Sequence, residues 1–467
     1  MTAAQSTHTH GPKKVKVSFI EPRADFNGFN LVRLPLMGHL QLGTILKQHG
    51  YDVRNYSENM RKVFHPRHGV IEKHILDSDV VAISIMTPTA NRGYAIADAV
   101  RKANPRARVI IGGSHASALP EEALEHADMV VTGEGEGRIL EAVEGGATGI
   151  IQGEQVKNLD ELPMIDLRLL QGYRPGLLSL TPIATSRGCP FDCSFCSVTK
   201  MFGRRCRFRS VESVLDELER RVAAGYAKFF FYDDNFSADK VRTKKLLEGV
   251  LRRGLKFSWV CQARVDIARD DELLDLMKRT GCVVVALGVE SVNPRTLVDY
   301  NKRQSVADIV NCIVKLKAHG VRPLCMFVLG SDSDSALSIR ETARFLKRWK
   351  PRYAQFSILC PLPGTRFYDE MNVSRRIWTK NWSLYDGSHV VTYPKNFTPV
   401  QLIEQTKWAY KQFYAMPWVA GYLVSRLFLK RWERVNKKYM CHLPTVKPPQ
   451  GIWQLAAQEE MAGKMLG

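Results

Sequence analysis

The chain contains no apolar run approaching the roughly 20 residues that a membrane-spanning helix needs, so no transmembrane segment is expected. The opening stretch, residues 1–13, lacks the apolar core of a secretory signal and reads as a disordered tail that includes His8 and His10. Cysteine is sparse: ten among 467 residues excludes a disulfide framework. Most of the cysteines are scattered (Cys206, Cys261, Cys282, Cys312, Cys325, Cys360, Cys441), several in strand-like apolar runs where a reduced thiol behaves as a small hydrophobe. A reducing, cytoplasmic compartment is therefore expected. Acidic residues are also in deficit, 47 against 67 Lys and Arg, for a net charge of +20. Such an excess suits nucleic acid, an anionic membrane surface or an acidic substrate. No recognition motif of the usual nucleic-acid-binding set is present, so no nucleic-acid partner is expected. Hydrophobic content of 45% and charged content of 24% are ordinary for a globular protein, and the length allows about three domains.

Short β-branched runs alternate with helical ones over residues 14–150. "KVKVSFIEP", "DVVAISIM", "ARVIIGGSH" and "DMVVTGEGE" read as strands, and "PLMGHLQLGTILKQHGYDV" and "NRGYAIADAVRKANP" as helices. This alternation specifies a doubly wound parallel sheet, a Rossmann-like α/β fold whose ligands sit at the carboxyl ends of the strands. Those ends carry Ser84 to Thr87, then Gly112, Gly113 and His115, then Gly133 and Glu134. Each glycine also fits ordinary turn chemistry, but three such ends together suggest a binding site. Residues 151–177 are polar and proline-punctuated, as in a linker. A second alternating series spans 178–370, with six strand candidates from "TPIATS" to "YAQFSILCPLP". Six units are too few for a full eightfold barrel and fit a partial (β/α)6 barrel. Residues 371–467 form a basic, Trp- and Tyr-rich region with helical patches.

Directly after the first strand of the second series comes "SRGCPFDCSFCSV", in which Cys189, Cys193 and Cys196 form C-x3-C-x2-C. Barrel enzymes place their chemistry in such loops. Thiolates suit zinc or an iron–sulfur cluster. Zinc would need a fourth ligand, with Cys206 the nearest candidate, and the second C-x-x-C of a zinc ribbon is missing. Three ligands on a 4Fe-4S cube would instead leave one iron open to a substrate.

This triplet, after the first strand of a partial barrel and with Phe195 between its second and third cysteines, resembles the radical S-adenosylmethionine (SAM) enzymes. The resemblance implies that the open iron chelates SAM and that one electron from the cluster cleaves it, generating a 5′-deoxyadenosyl radical. It also implies a low-potential electron donor such as flavodoxin or ferredoxin. Asp233 and Asp234 in "FFFYDDNF", Arg264 in "QARVD", and Glu290 with Ser291 in "GVES" match strand-end positions that hold SAM in that family. The family's Gly-Gly-Glu form is absent, and each of these residues also fits a capping or salt-bridge role. The first series, through "PLMGHLQLGTILKQHGYDV", "AISIMTPT", "IIGGSHAS" and "VVTGEGE", resembles the cobalamin-binding domain that precedes many such barrels. The resemblance implies that Ser84, Thr87, Gly112, Gly113, His115, Gly133 and Glu134 lie at the corrin, with His115 packing near it or its tail. The Asp-x-His-x-x-Gly cobalt-ligand signature is absent; its loop corresponds to "RADFNGFN", and cobalt is expected to lack a histidine below.

The implied function is a cobalamin-dependent radical SAM methyltransferase acting on an unactivated carbon of a hydrophobic or lipid-like substrate. A cyclase or rearrangement enzyme with the same cofactors, as in tetrapyrrole ring formation, and a zinc-stabilised nucleic-acid-binding protein are the alternatives. "VSRLFLKRWERVNKK" (424–438) is amphipathic at helical spacing. It reads either as a helix packed on the barrel or as an interfacial anchor attaching the enzyme peripherally to the inner face of a membrane.

Overall fold

The structure, a computed structural model, describes residues 14–25, 34–146, 148–174 and 179–415. The expected tail 1–13, most of "RADFNGFN", Cys441 and the basic helix at 424–438 lie outside the described residues. In chain order the strands are β1 (Lys16–Glu21), β2 (Asp52–Ser57), an antiparallel pair β3 (Phe64–His65) and β4 (Gly69–Val70), β5 (Val80–Ser84), β6 (Arg108–Gly112), β7 (Met129–Thr132) and β8 (Gly149–Gln152). There follow β9 (Thr181–Ile183), an antiparallel ribbon of β10 (Ser186–Arg187) and β11 (Arg207–Phe208), then β12 (Lys228–Phe231), β13 (Ser258–Ala263), β14 (Cys282–Glu290), β15 (Arg322–Leu329) and β16 (Tyr353–Ile358).

The first sheet runs β2-β1-β5-β6-β7-β8, all parallel. Strand order reverses between β1 and β5, so the loops leaving those strands diverge and open a crevice at their carboxyl ends. The polar β2, "DVRNYS", is a strand even though its sequence carries no apolar alternation; Asn55 and Ser57 are buried in it. Strand β8 is only half-buried and reaches Gln152, inside the polar stretch that reads as a linker. Beyond it, two 3-10 turns at Leu159–Glu161 and Leu167–Leu169 are capped by Asn158 and Asp166.

The second sheet runs β9-β12-β13-β14-β15-β16, parallel and in sequential order, the layout of a partial barrel. Its helices are amphipathic and capped. Ser210 accepts from Ser213 N before helix Val211–Ala223, and Asp270 from Leu273 N before Asp271–Arg279. Aromatic side chains fill the core, with Phe231 edge-on to Trp259 at 5.0 Å and Phe327 stacked on Phe356 at 5.3 Å. Because the sheet does not close, β16 is an edge. Helix Pro399–Tyr414 covers it: Tyr410 Oη accepts from Phe356 N (3.0 Å) and donates to Phe356 O (2.9 Å), and Tyr414 Oη donates to Ala354 O (2.8 Å). Between barrel and helix, Trp382, Leu384, Tyr385 and Val391 return to pack on the core of the first sheet. Phe327 is fully buried, so Phe327→Ala is expected to cost about 3–5 kcal/mol in denaturant unfolding.

Candidate active site

The cysteine loop is suspended from both ends. Behind it, the buried Asp233 carboxylate accepts from Thr185 N (2.9 Å), Thr185 Oγ1 (3.1 Å), Ser186 Oγ (2.8 Å) and Ser186 N. Arg187 then pairs with Arg207 in the β10–β11 ribbon, and Gly188 turns with φ +91°. A Cβ at Gly188 would lie 3.0 Å from Arg205 O, so only glycine fits there. Cys206 donates its thiol hydrogen to Gly188 O at 3.4 Å. The far side of the loop is tied to the turn after helix Pro294–Asp299. Ser194 N donates to Tyr300 O (3.2 Å), Asn301 Nδ2 donates to Asp192 O (2.7 Å), and the Phe195 ring meets Tyr300 edge-on at 5.0 Å.

Cys189, Cys193 and Cys196 are free and partly exposed. Burial pushes the Cys189 thiol up and the Cys196 thiol up to about 12, so a bound cation is what would ionise them. Among the described residues no three His, Cys, Asp or Glu side chains converge on a single ion position. An iron–sulfur cube, in which each thiolate takes its own iron, requires no such convergence. Three thiols on a loop braced from both sides therefore suit a cluster.

Beside the loop, Arg264 lies 3.7 Å over the Phe191 ring, sends Nη1 to Cys193 Sγ at 3.8 Å, and donates through Nη2 to Lys302 O. Lys302 Nζ donates to Glu290 Oε1 at 2.7 Å, and both residues are buried. Glu290 adopts φ +63° at an irregularity in β14, strain of the kind concentrated at functional sites. The three expected residues here divide two to one. Arg264 and Glu290 meet in one cluster by the cysteines, whereas Ser291 Oγ is used in accepting from Asn293 N at 3.0 Å. Sequence reasoning missed Lys302, whose role depends on left-handed Asn301 and Arg303 on either side of it.

A cavity with about 1470 Å³ of atom-free space, part of it open to solvent, separates the carboxyl ends of the first sheet from the start of the cysteine loop. Ser84, Gly112, Gly113, Gly133 and Glu134 line one side; Ser186, Arg187, Tyr232 and Asp234 line the other. Burial, reinforced by the neighbouring Asp233 charge, raises the Asp234 carboxyl to about 6. Glu21, at the end of β1, and His39 are a buried polar pair unseen in the sequence. His39 lines the cavity and is fully buried, with no hydrogen-bond partner for either ring nitrogen among the described residues. Its Nε2 lies 3.9 Å from the equally orphaned Glu21 Oε2. Burial lowers His39 to about 3 and raises Glu21 to about 7.

Other expected residues are placed elsewhere. Thr87 and His115 do not line the cavity. His115 Nδ1 meets Thr87 Oγ1 and Nε2 meets Glu122 Oε1, both at 3.3 Å, while Trp382 packs on the ring at 4.9 Å. The returning C-terminal segment packs on this histidine. Asp233 accepts from Thr185 and Ser186 and so braces the start of the loop. Gly113 serves packing, since a Cβ there would lie 2.4 Å from Ile85 O.

The cavity fits cobalamin, whose flat macrocycle is fringed with amides. Apolar walls come from Phe19, Leu42 and Val131; Gly38 faces open space where a side chain would intrude; and the orphaned His39 nitrogens can pair with amide groups.

Comparison with known proteins agrees with both halves. Residues 183–346 match the Radical SAM superfamily and residues 33–143 the B12 binding domain. An uncharacterized methyltransferase from Pyrococcus horikoshii is 31% identical over 366 residues, covering 73% of this chain and 80% of that protein. The bacteriochlorophyllide d C-12(1)-methyltransferase of Chlorobaculum tepidum is 30% identical, covering 70% and 72%. An anaerobic magnesium-protoporphyrin IX monomethyl ester cyclase from Cereibacter sphaeroides is 27% identical, covering 73% and 60%. The fold resembles that of the radical SAM methyltransferase TsrM from Kitasatospora setae (TM-score 0.62, 16% identity, 78% of this chain and 75% of that one).

Two outcomes are expected. Between pH 6.5 and about 3 the unfolded chain binds a proton at His39 that the folded chain refuses, so this residue lowers stability as pH falls. His39→Leu should therefore gain stability over the parent chain at about pH 5 compared with pH 7.5, measured by urea unfolding of the apoprotein. Asp233→Ala orphans the Thr185 and Ser186 amides at about 1–3 kcal/mol each and should lower both melting temperature and iron retention.

Proposed function

The chain belongs to the radical SAM enzymes that carry a B12-binding domain, and on that premise we propose that it methylates an unactivated carbon of a large hydrophobic substrate of lipid or tetrapyrrole type. The observation that carries this reading is the single cavity shared by the carboxyl ends of the first sheet and the loop that leads into the cysteines. When bound, the 4Fe-4S cluster supplies one-electron cleavage of SAM, and cobalamin supplies a transferable methyl group. Cys189, Cys193 and Cys196 hold the cluster, with Arg264 Nη1 beside Cys193 Sγ at 3.8 Å. Glu290 and Lys302, fixed against each other, and Asp234 at the cavity wall present the charged groups that orient the amino-acid and ribose ends of SAM. Apolar walls around the cavity exclude water and accept a hydrophobic skeleton. The basic excess of the chain suits an acidic low-potential donor such as flavodoxin or ferredoxin.

The named relatives support this reading: one methylates a bacteriochlorophyllide, and the cyclase acts on a magnesium porphyrin ester. That cyclase also keeps ring closure in view as a second reading. Reducing-compartment residence is proposed from the free thiols. No helix among the described residues is long and apolar enough to cross a membrane. Peripheral attachment rests on the sequence 424–438 alone.

After anaerobic reconstitution with iron, sulfide and cobalamin, the protein should release 5′-deoxyadenosine from SAM. Alanine at Cys189, Cys193 or Cys196 should abolish that release, and persistence in any one of the three would overturn the assignment. Products from extracts incubated with labelled SAM should be heavier by one methylene unit; ring closure adds no methyl.

A further inference from the structure

The glycine-rich loop after β7, expected to cradle cobalamin, spends its carboxylates elsewhere. Glu134 Oε2 accepts from Arg187 Nη1 (2.8 Å), Arg207 Nη1 (3.0 Å) and Val156 N (3.0 Å), and its Oε1 accepts from Arg207 Nη2. Glu136 Oε1 accepts from Arg187 Nη2 at 2.5 Å. Arg207 Nη1 also donates to Val156 O at 2.6 Å. The carboxylate of Glu134 is 2% exposed, and the side chains of Glu136, Arg207 and Arg187 are 7%, 9% and 18% exposed. Two carboxylates and two guanidiniums balance in charge. The loop is pressed so close to the chain beyond β8 that a Cβ at Gly153 would lie 2.1 Å from Glu134 O.

The placement of this cluster is more informative than its strength. Both arginines sit on the β10–β11 ribbon, and Arg187 is two residues from Cys189. Both glutamates leave the carboxyl end of the first sheet, at the rim of the cavity. A buried ion pair adds little stability over an apolar contact of the same size. Forked guanidinium–carboxylate bonds are directional, however, whereas apolar contacts are not and can slide. We propose that Glu134 and Glu136 are positioning residues that, by clamping Arg187 and Arg207, set the separation between the cobalamin side and the cluster side of the cavity. The proposal rests on the functional reading above. Transfer between two bound groups is sensitive to misplacement of about 1 Å, so a loosened clamp would let SAM be cleaved without methyl reaching the substrate.

The test uses the reconstituted full chain. Pulsed dipolar EPR between cob(II)alamin and the reduced cluster reads their separation in the parent protein and in Glu134→Gln, which keeps the shape but removes the charge and replaces one acceptor oxygen by a donor. Iron content and the cobalamin absorption spectrum confirm loading. The expected result is a broader or longer distance distribution at full loading, together with a several-fold rise in 5′-deoxyadenosine released per methylated product. An unchanged distribution and unchanged ratio would overturn the proposal. Should Glu134→Gln lose a cofactor, Glu136→Gln, which gives up one ion pair and leaves Glu134 in place, is read by the same two measures. Failure of the parent chain to bind cobalamin or a cluster would instead reject the functional reading itself.

Discussion

One carboxylate supports the site. Asp233, at the end of β12, holds the backbone and hydroxyls of Thr185 and Ser186, and everything downstream, from the ribbon through Gly188 to the three cysteines, leaves from that anchor. Parallel strands make such an arrangement natural, because the end of one strand can brace the loop leaving its neighbour; β9 and β12 are paired. Asp233 is fully enclosed, and burial alone would favour its protonated form; the amides and hydroxyls it accepts from oppose that tendency. A loop braced in this way has less freedom to lose on receiving a ligand, as a preorganised site requires.

The surroundings of the cysteines and the end of the first sheet differ electrostatically. Near the cysteines, charges are present and compensated: Arg264 beside Cys193, and Lys302 against Glu290. At the end of the first sheet, burial favours the neutral forms of both Glu21 and His39. A neutral imidazole can donate from one nitrogen and accept at the other, which matches a carboxamide and mismatches a phosphate or a carboxylate. Charged groups thus gather near the cysteines, whereas the first sheet offers a buried neutral imidazole at the cavity.

Much of this architecture was legible in the sequence, for reasons that also explain the misses. The six barrel strands announce themselves because buried parallel strands are apolar runs, and their helices carry visible caps such as Ser210 and Asp270. The cysteine spacing needs only a local reading. By contrast β2 escapes notice because three of its four buried positions are Asn55, Tyr56 and Ser57, with Val53 the one β-branched residue among them, and β8 because only half of it is covered. His115, beside two glycines, meets Trp382 from 267 positions away, and Glu134 pairs with Arg207 across 73 positions. Contacts at such separations are products of topology, and no local pattern encodes them. His39 and Lys302 are informative only once their burial is known.

The sealing of β16 has a further consequence. An unclosed barrel ends in a row of free amide and carbonyl groups, which ordinarily invites strand-by-strand addition from another molecule. Here the hydroxyls of Tyr410 and Tyr414 occupy that role at Phe356 and Ala354, and Gly387 O receives Ile358 N at 2.7 Å. Strand addition at that margin would first have to peel away helix Pro399–Tyr414.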